Sequence, residues 1–351
     1  MPPHPHRPAE LAWQVFRGSA AIRRGLLSRH HLRGASWIRL RQDVYADARL
    51  DRDHALTCRA ALLRLPPGTL VAGPSAAYLH GVEHAAGFTD DVHVLLPATV
   101  RADSQPGVRV HHAPMSTTRC GLLVPAGTAT TPGTTRAAVT GAAAGTTPTR
   151  RTGPPARTTS SPAADRSSGL PLVMTEPPPR TDPVTCAWET AVWAEPVKAV
   201  GIIDDLLRTG SVGRAELASE AARNVGRPGG RRAAWVFGLT DGLAQSPPES
   251  HLRVRLMFAG LPRPVAQHPV RVSTGLILHP DLAWPEFRVA VEYDGQWHSD
   301  ADRMHLDRRR LNQLVEAGWL VLHVTGRRLR KEFPALVREI RTALVARGWR
   351  P

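Results

Sequence analysis

The residues best suited to chemistry lie in the last third of the chain. Asp281 precedes a turn at Trp284-Pro285-Glu286, and the apolar run that follows, Val289 to Tyr293, carries Glu292 with Asp294 just beyond it. Period-two alternation puts Arg288, Ala290, Glu292 and Asp294 on one face of a strand and Val289, Val291 and Tyr293 on the other. Acids on a buried strand are costly unless a cation neutralises them. Mg²⁺, with Mn²⁺ as the alternative, is the natural cation, being hard and commonly held by one or two carboxylates plus substrate phosphate. Such an ion lowers the pKa of a bound water and stabilises the charge that builds up in phosphodiester hydrolysis. Asp281, Glu292 and Asp294 are the candidate metal ligands, and Glu249, at the start of a helix, offers a further carboxylate. His298, in a loop that begins at Gly295, titrates in the range needed to move protons near neutral pH. The bland alternative treats Asp281 and Glu292 as ordinary turn-flanking acids; it does not explain why acids interrupt an apolar strand.

The elements that must position these residues read as a helix over 249–259, three strands (about 264–272, 276–283 and 287–293), a helix over 301–317, a strand over 319–324 and a helix over 330–346. The order is αβββαβα. Arg308, Arg309 and Arg310 fall on the second helix, where they either contact phosphate or form a solvated face.

In the N-terminal part, Ser19 to Gly25 predicts a short helix and its stop, and Ser28 caps a second through Arg33, which Gly34 ends. Trp37-Ile38-Arg39-Leu40-Arg41 and Val44-Tyr45 flank a turn at Gln42-Asp43, predicting a hairpin. Helix, turn, helix and hairpin together make a winged helix-turn-helix. Beyond it, 54–65 predicts an apolar helix, 73–81 a Ser-capped helix ended by glycine, and 92–96 and 108–111 two strands. His80 has no nucleophile or carboxylate at helical spacing and reads as structural. The His111-His112 pair reads as exposed loop for want of a third metal ligand. Further on, 185–207 and 215–222 support helices that pack on the N-terminal region, and Arg227 to Arg232 reads as a flexible basic break.

The organisation that follows is residues 1–115 as a winged-helix region, 116–182 as a low-complexity linker, 183–243 as a helical connector and 244–351 as the domain with the acids. The linker is rich in Thr, Pro, Ala, Gly and Arg and poor in large apolar side chains. Its flanks resemble each other (Gly121-Leu122-Leu123-Val124 and Gly169-Leu170-Pro171-Leu172-Val173), as an insertion or a shifted reading frame would leave them.

With 351 residues the chain is long enough for two or three cores, and 42% hydrophobic residues can build them. A net charge of +15 favours a polyanionic partner such as DNA over an acidic small molecule. The charge is spread evenly: 14 basic and 9 acidic residues over 1–115, 14 and 10 over 116–248, 17 and 11 over 249–351. Only Lys198 and Lys331 are lysines, so part of this excess is an arginine bias of composition. Cys58, Cys120 and Cys186 make neither a zinc pattern nor a disulfide framework, which suits a reducing cytoplasm. No apolar run is long enough for a membrane span, so no membrane partner is expected.

Several ordered blocks carry a resemblance. Glu249-Ser250-x-Leu252-Arg253, Pro280-Asp281-Leu282-Ala283-Trp284-Pro285, Val291-Glu292-Tyr293-Asp294-Gly295 with His298, Asp307-Arg308-Arg309-Arg310 and Gly318-Trp319-x-Val321-Leu322 resemble an actinobacterial domain related to very-short-patch repair endonucleases, within the PD-(D/E)xK superfamily. The resemblance covers about the last hundred residues. It implies a restriction-endonuclease-like fold, Asp281 and Glu292 as metal-binding acids, Glu249 as the helical acid and His298 as the repair enzymes' histidine. The superfamily lysine, two residues past the second acid, is replaced here by Asp294, a form these endonuclease-like relatives share. The N-terminal half is similar to winged-helix proteins of the AbiEi-type abortive-infection antitoxin group, through Gly25-Leu26-Leu27-Ser28, Trp37-Ile38-Arg39-Leu40, Val44-Tyr45-Ala46 and Ser75-Ala76-Ala77-x-Leu79-His80-Gly81. Gln42-Asp43 stands where that group usually has a wing glycine. The similarity implies a recognition helix near 28–33, with Arg29, Arg33, Arg39 and Arg41 as DNA contacts.

The expected protein is thus a mixed α+β and α/β multidomain chain that binds DNA and hydrolyses phosphodiesters with Mg²⁺. The competing expectation is a transcriptional regulator or antitoxin that keeps an inactive nuclease fold.

Overall fold

The computed structural model describes residues 6–102, 105–113, 172–174, 177–294 and 301–351, which form a mixed α/β protein with several small sheets. No helix among them is long and apolar enough to cross a membrane. Cys120 and most of the expected linker lie outside the described residues.

Strand β1 (Val15–Arg17), helix α1 (Gly18–Arg23) and the hairpin of β2 (Trp37–Arg41) and β3 (Val44–Asp47) form the first unit. Its sheet order is β1-β3-β2, with both pairs antiparallel. Phe16 packs edge-on against Trp37, ring centroids 5.0 Å apart, at the centre of a small core. Asp43 closes the hairpin at φ +61° and turns its carboxylate onto α1, accepting from Ser19 N at 2.7 Å and Ser19 Oγ at 2.6 Å. An aspartate tolerates this left-handed position better than most residues, which is how the turn does without glycine. The expected helix over 28–33 is instead one 3₁₀ turn, His31–Arg33. Its N-cap is His30 rather than Ser28, whose Oγ accepts from His31 N at 3.1 Å, and only Leu32 has an apolar side chain to pack, too little to hold a longer helix.

The second unit interleaves distant segments. Helix α2 (His54–Leu62), strand β4 (Leu70–Val71), helix α3 (Gly73–Leu79) and strands β5 (Val92–Pro97) and β6 (Val108–Ala113) share one core with helices α4 (Pro183–Trp193), α5 (Pro196–Arg208), α6 (Arg214–Arg223) and α7 (Gly230–Leu239). The sheet runs β4-β5-β6, with β5 and β6 parallel. Gly73 is the close contact: its N donates to the Glu189 carboxylate at 2.9 Å and its carbonyl accepts from Cys186 Sγ at 3.2 Å. With φ +51° and Trp193 only 2.8 Å from where a Cβ would stand, the position requires glycine.

Several expectations change here. The single helix over 185–207 is two, because Pro196 starts a new one that Glu195 caps by accepting from Lys198 N at 3.0 Å. Arg227 to Arg232 is a tight turn running into α7, pinned where Arg232 Nε donates to the Ala191 carbonyl at 3.2 Å. Ser75 is no helix cap; its Oγ bonds His54 Nε2 at 2.8 Å and accepts from His93 N at 2.9 Å. His111 lies on β6, stacked on Trp193 with centroids 3.5 Å apart and 3.1 Å from His93 Nδ1. The end of the expected linker is docked: Val173 bridges to Phe16 and Arg180 to Val71.

The third unit holds α8 (Pro247–Phe258), the short strands β7 (Val265–Ala266), β8 (Val270–Arg271), β9 (Ile277–Leu278) and β10 (Leu282–Trp284), then β11 (Val289–Asp294), α9 (Ala301–Glu316), β12 (Leu320–Thr325), α10 (Gly326–Lys331) and α11 (Phe333–Ala346). Its main sheet runs β12-β11-β10-β7, antiparallel except for β11 and β12, which α9 connects in parallel. The first two expected strands are each broken, and β8 and β9 pair apart as a small hairpin. The last expected helix is divided at Glu332.

Arg253 of α8 is fully buried and ties this unit to the preceding helices. Its Nη2 stands 2.7 Å from Asp204 Oδ2 of α5 and its Nε 2.9 Å from Asp241 Oδ2. Ser250 Oγ donates to the same Asp204 oxygen at 2.7 Å, while Asp204 Oδ1 accepts from the N–H groups of Asp241 and Gly242 at 2.8 and 2.9 Å. Removing one partner of a buried ion pair strands the other in low dielectric. Arg253→Ala is therefore expected to lower stability by about 3–5 kcal/mol in denaturant titration, against about 1 kcal/mol or less for the exposed Arg208→Ala.

Burial holds His54, His80, His84, His93, His111 and His251 below the ordinary histidine range, with His93 and His111 pulled down to about 4. The folded state keeps these rings neutral, so acidification protonates the unfolded chain first and their contribution is lost as the pH falls from 6.5 towards 4. The melting temperature is expected to decline steadily over that interval. His111→Phe, which preserves stacking on Trp193 without a titrating nitrogen, should flatten part of the slope.

Candidate carboxylate site

The site is made by strand register. Leu282 pairs with Val291, Ala283 with Ala290 and Trp284 with Val289, so one step beyond the Leu282–Val291 pair the register brings Asp281 opposite Glu292. The connecting turn reverses tightly, with Phe287 N donating to the Trp284 carbonyl at 3.1 Å and Arg288 at φ +50°. Alternation then sorts the side chains of β11. Val289 and Val291 enter one core with Leu252 and Leu282, and Ala290 enters another with Ala283 and Leu314, on the face that carries Glu292.

Each acid has its own partners. Asp281 Oδ2 accepts from Tyr293 N at 2.8 Å and its Oδ1 from Gln267 Nε2 at 3.2 Å. Glu249, in the first turn of α8, accepts from Ser246 Oγ at 2.7 Å and Gln245 N at 2.8 Å, with Gln267 Nε2 at 3.5 Å. Gln267 thus stands between two carboxylates, at the end of β7 and in left-handed backbone conformation, φ +51°. A non-glycine residue is rarely held there without surrounding structure to fix it. Sequence reading missed Gln267, since a lone glutamine after a two-residue strand carries no periodic signal. Glu292 Oε1 lies 3.2 Å from Arg310 Nη2 of α9. Asp294 stands apart from this group, 3.4 Å from His323 Nδ1 on β12.

Burial pushes the Glu292 carboxyl up to about 7; repulsion from Asp281 adds to this, and Arg310 opposes it. Asp281 and Glu249 are also raised, each first by burial, with Asp281 repelling Glu249 and Asp294 repelling Asp281. Carboxylates held up by desolvation and one another beside a cleft mark a candidate functional site, and Asp281 is the one that lines it. The cleft has a volume of about 240 Å³ and is lined by Gln245, Gln267, Ile277, His279, Asp281 and Arg310.

Asp281, Glu292 and Glu249 are therefore gathered, with Asp294 at the margin. His298 and the side chain of Arg308 lie outside the described residues. Among the described residues, no three His, Cys, Asp or Glu side chains stand ready to hold a metal ion. Arg309 is exposed, whereas Arg310 is half-buried in the cleft. At the other end of the chain Arg29, Arg33 and Arg39 are exposed. Arg41 is committed internally, donating to the Pro106 carbonyl at 2.7 Å and that of Gly107 at 2.9 Å.

The chain is 32% identical over 153 residues to two Mycobacterium tuberculosis proteins, Uncharacterized protein MT2308 of strain CDC 1551 / Oshkosh and Uncharacterized protein Rv2248 of strain ATCC 25618 / H37Rv. The match takes in 43% of this chain and spans about half the length of those relatives, 56%. No family profile and no solved structure matches the chain.

Because the Glu292 value rises on folding, the folded protein retains a proton that the unfolded chain has released. Stability from this group is present below pH 4.5 and lost as the pH rises through about 7. Glu292→Gln is expected to raise the melting temperature by a few degrees at about pH 8, with the gain vanishing below about pH 4.5, in thermal unfolding followed across pH.

Proposed function

We propose that this chain binds DNA and that its C-terminal unit hydrolyses phosphodiesters with Mg²⁺ or Mn²⁺. The observation that carries the reading is the register that sets Asp281 opposite Glu292, both desolvated, with Glu249 tied to Asp281 through Gln267. Two carboxylates suit Mg²⁺, which keeps several waters and takes substrate phosphate as a further ligand. Their raised pKa values fit as well, because a site with excess buried negative charge gains most from a divalent ion. Asp281 and Glu292 would hold the ion, whose contribution is to activate water and offset charge on the phosphate. Glu249 orients the site through Gln267, Asp294 extends its acidic edge, and His298 is the acid or base implied by the resemblance to very-short-patch repair endonucleases. The mixed sheet β12-β11-β10-β7 and the order of its elements support a restriction-endonuclease-like fold. The order β1-β3-β2, with α1 between β1 and the hairpin, supports a winged-helix reading of the N-terminal unit. Arg29, Arg33 and Arg39 are the exposed side chains that would meet the DNA backbone in that reading, Arg39 with its Nε also donating to the Arg41 carbonyl at 3.4 Å.

Asp294 favours a second reading. Where the resembled superfamily has lysine to orient the attacking water, an acid stands, as it would in a regulator or antitoxin whose nuclease fold only binds. Incubation of the full chain with supercoiled plasmid and with mismatched duplex, in Mg²⁺ or Mn²⁺, separates the two. Metal-dependent nicking that falls by about a hundredfold or more in Asp281→Ala is expected. Equal rates in the two proteins overturn the enzymatic reading, and sequence-specific duplex binding that is indifferent to divalent ions then selects the regulator.

A further inference from the structure

The sequence shows no lysine beside the acids, yet the structure supplies a cation from another element. Arg310 reaches from α9 to place Nη2 3.2 Å from Glu292 Oε1, and the same nitrogen donates to the carbonyl of His279 at the opposite rim of the cleft. It is the cation that acts on both Asp281 and Glu292 among the described residues. Its side chain retains 41% exposure, so the head group has room to move, while its buried Nε finds no acceptor among the described residues. Arg309, next to it, is exposed.

We propose that Arg310 is a built-in counter-cation that holds the Asp281–Glu292 pair in the metal-free protein, is displaced from Glu292 by a divalent ion, and then offers its guanidinium to a phosphodiester oxygen. This rests on the metal-site reading above and assigns the phosphate-facing charge to α9 rather than to the strand position occupied by Asp294. Both cations draw on the charge of the same carboxylate, so an ion bound to Glu292 weakens its hold on the guanidinium and repels it, and the two compete. Once Glu292 is taken by the ion, a freed guanidinium has the planar fork that matches phosphate oxygens, and repulsion from the ion turns it outward to the cleft. No covalent step is involved in the exchange.

The test is Mn²⁺ binding to the full-length protein by titration calorimetry, with plasmid nicking measured alongside. Arg310→Gln removes the competitor, so Mn²⁺ is expected to bind about tenfold more tightly than in the native protein, while nicking at saturating Mn²⁺ falls. Arg310→Lys retains charge on a group without the fork and is expected to fall between the two in affinity; it decides the matter if the glutamine variant does not fold. Equal Mn²⁺ affinity in the native protein and both variants, with binding still abolished by Asp281→Asn, overturns the counter-cation role and leaves the metal site standing. Absence of Mn²⁺ binding in native and variant proteins alike overturns both.

Discussion

A single buried guanidinium governs how the parts of this chain fit together. Arg253 is enclosed between Asp204 and Asp241, and the same Asp204 receives two backbone N–H groups and the Ser250 hydroxyl. Buried charges of this kind must meet opposite charge at close range, which favours the observed docking of α8 on α5. The anchor lies one helical turn from Glu249. Fixing Arg253 therefore fixes the start of α8, and through Gln267 it fixes the approach of Glu249 to Asp281. Helix α5 is in this sense part of the site's support.

The site itself works against the fold. Three partly desolvated carboxylates lie close enough to repel one another, and they are restrained by Arg310, Gln267, the Ser246 hydroxyl and backbone donors. Burial, with repulsion from Asp281 added to it, pushes the Glu292 carboxyl up to about 7. Elsewhere buried charge and polarity are matched at close range, as where Arg253 Nη2 meets Asp204 or where His54 Nε2 meets Ser75 Oγ. The anchor joins opposite charges, whereas the acids a turn away are like charges raised by burial and by one another, and that contrast is what marks them as a candidate functional site.

Much of the site was legible in the sequence because strand alternation is a strict rule. Glu292 and Ala290 had to share a face, and the turn before Val289 had to bring Asp281 back beside them. What could not be read were residues whose role depends on contact across elements. Arg253 looked like any charge on a helix, Gln267 like loop polarity, and Arg310 like one of three equivalent arginines. In the N-terminal unit the hairpin was plain from Ile38 and Leu40 alternating with arginines, but β1 was too short to signal itself. The helix over 28–33 failed for lack of an apolar face, and α7 was hidden behind a Pro-Gly-Gly break. Packing against α4, which begins some seventy residues after β6 ends, rescued that segment and could not be seen locally.

The direct measurement is a crystal structure of the full chain grown with Mn²⁺, examined by anomalous scattering. An anomalous peak between the carboxylates of Asp281 and Glu292, with the Arg310 guanidinium withdrawn from Glu292 Oε1, is the predicted result. Full-occupancy Mn²⁺ bound only elsewhere, with Glu292 still paired to Arg310, would contradict the account.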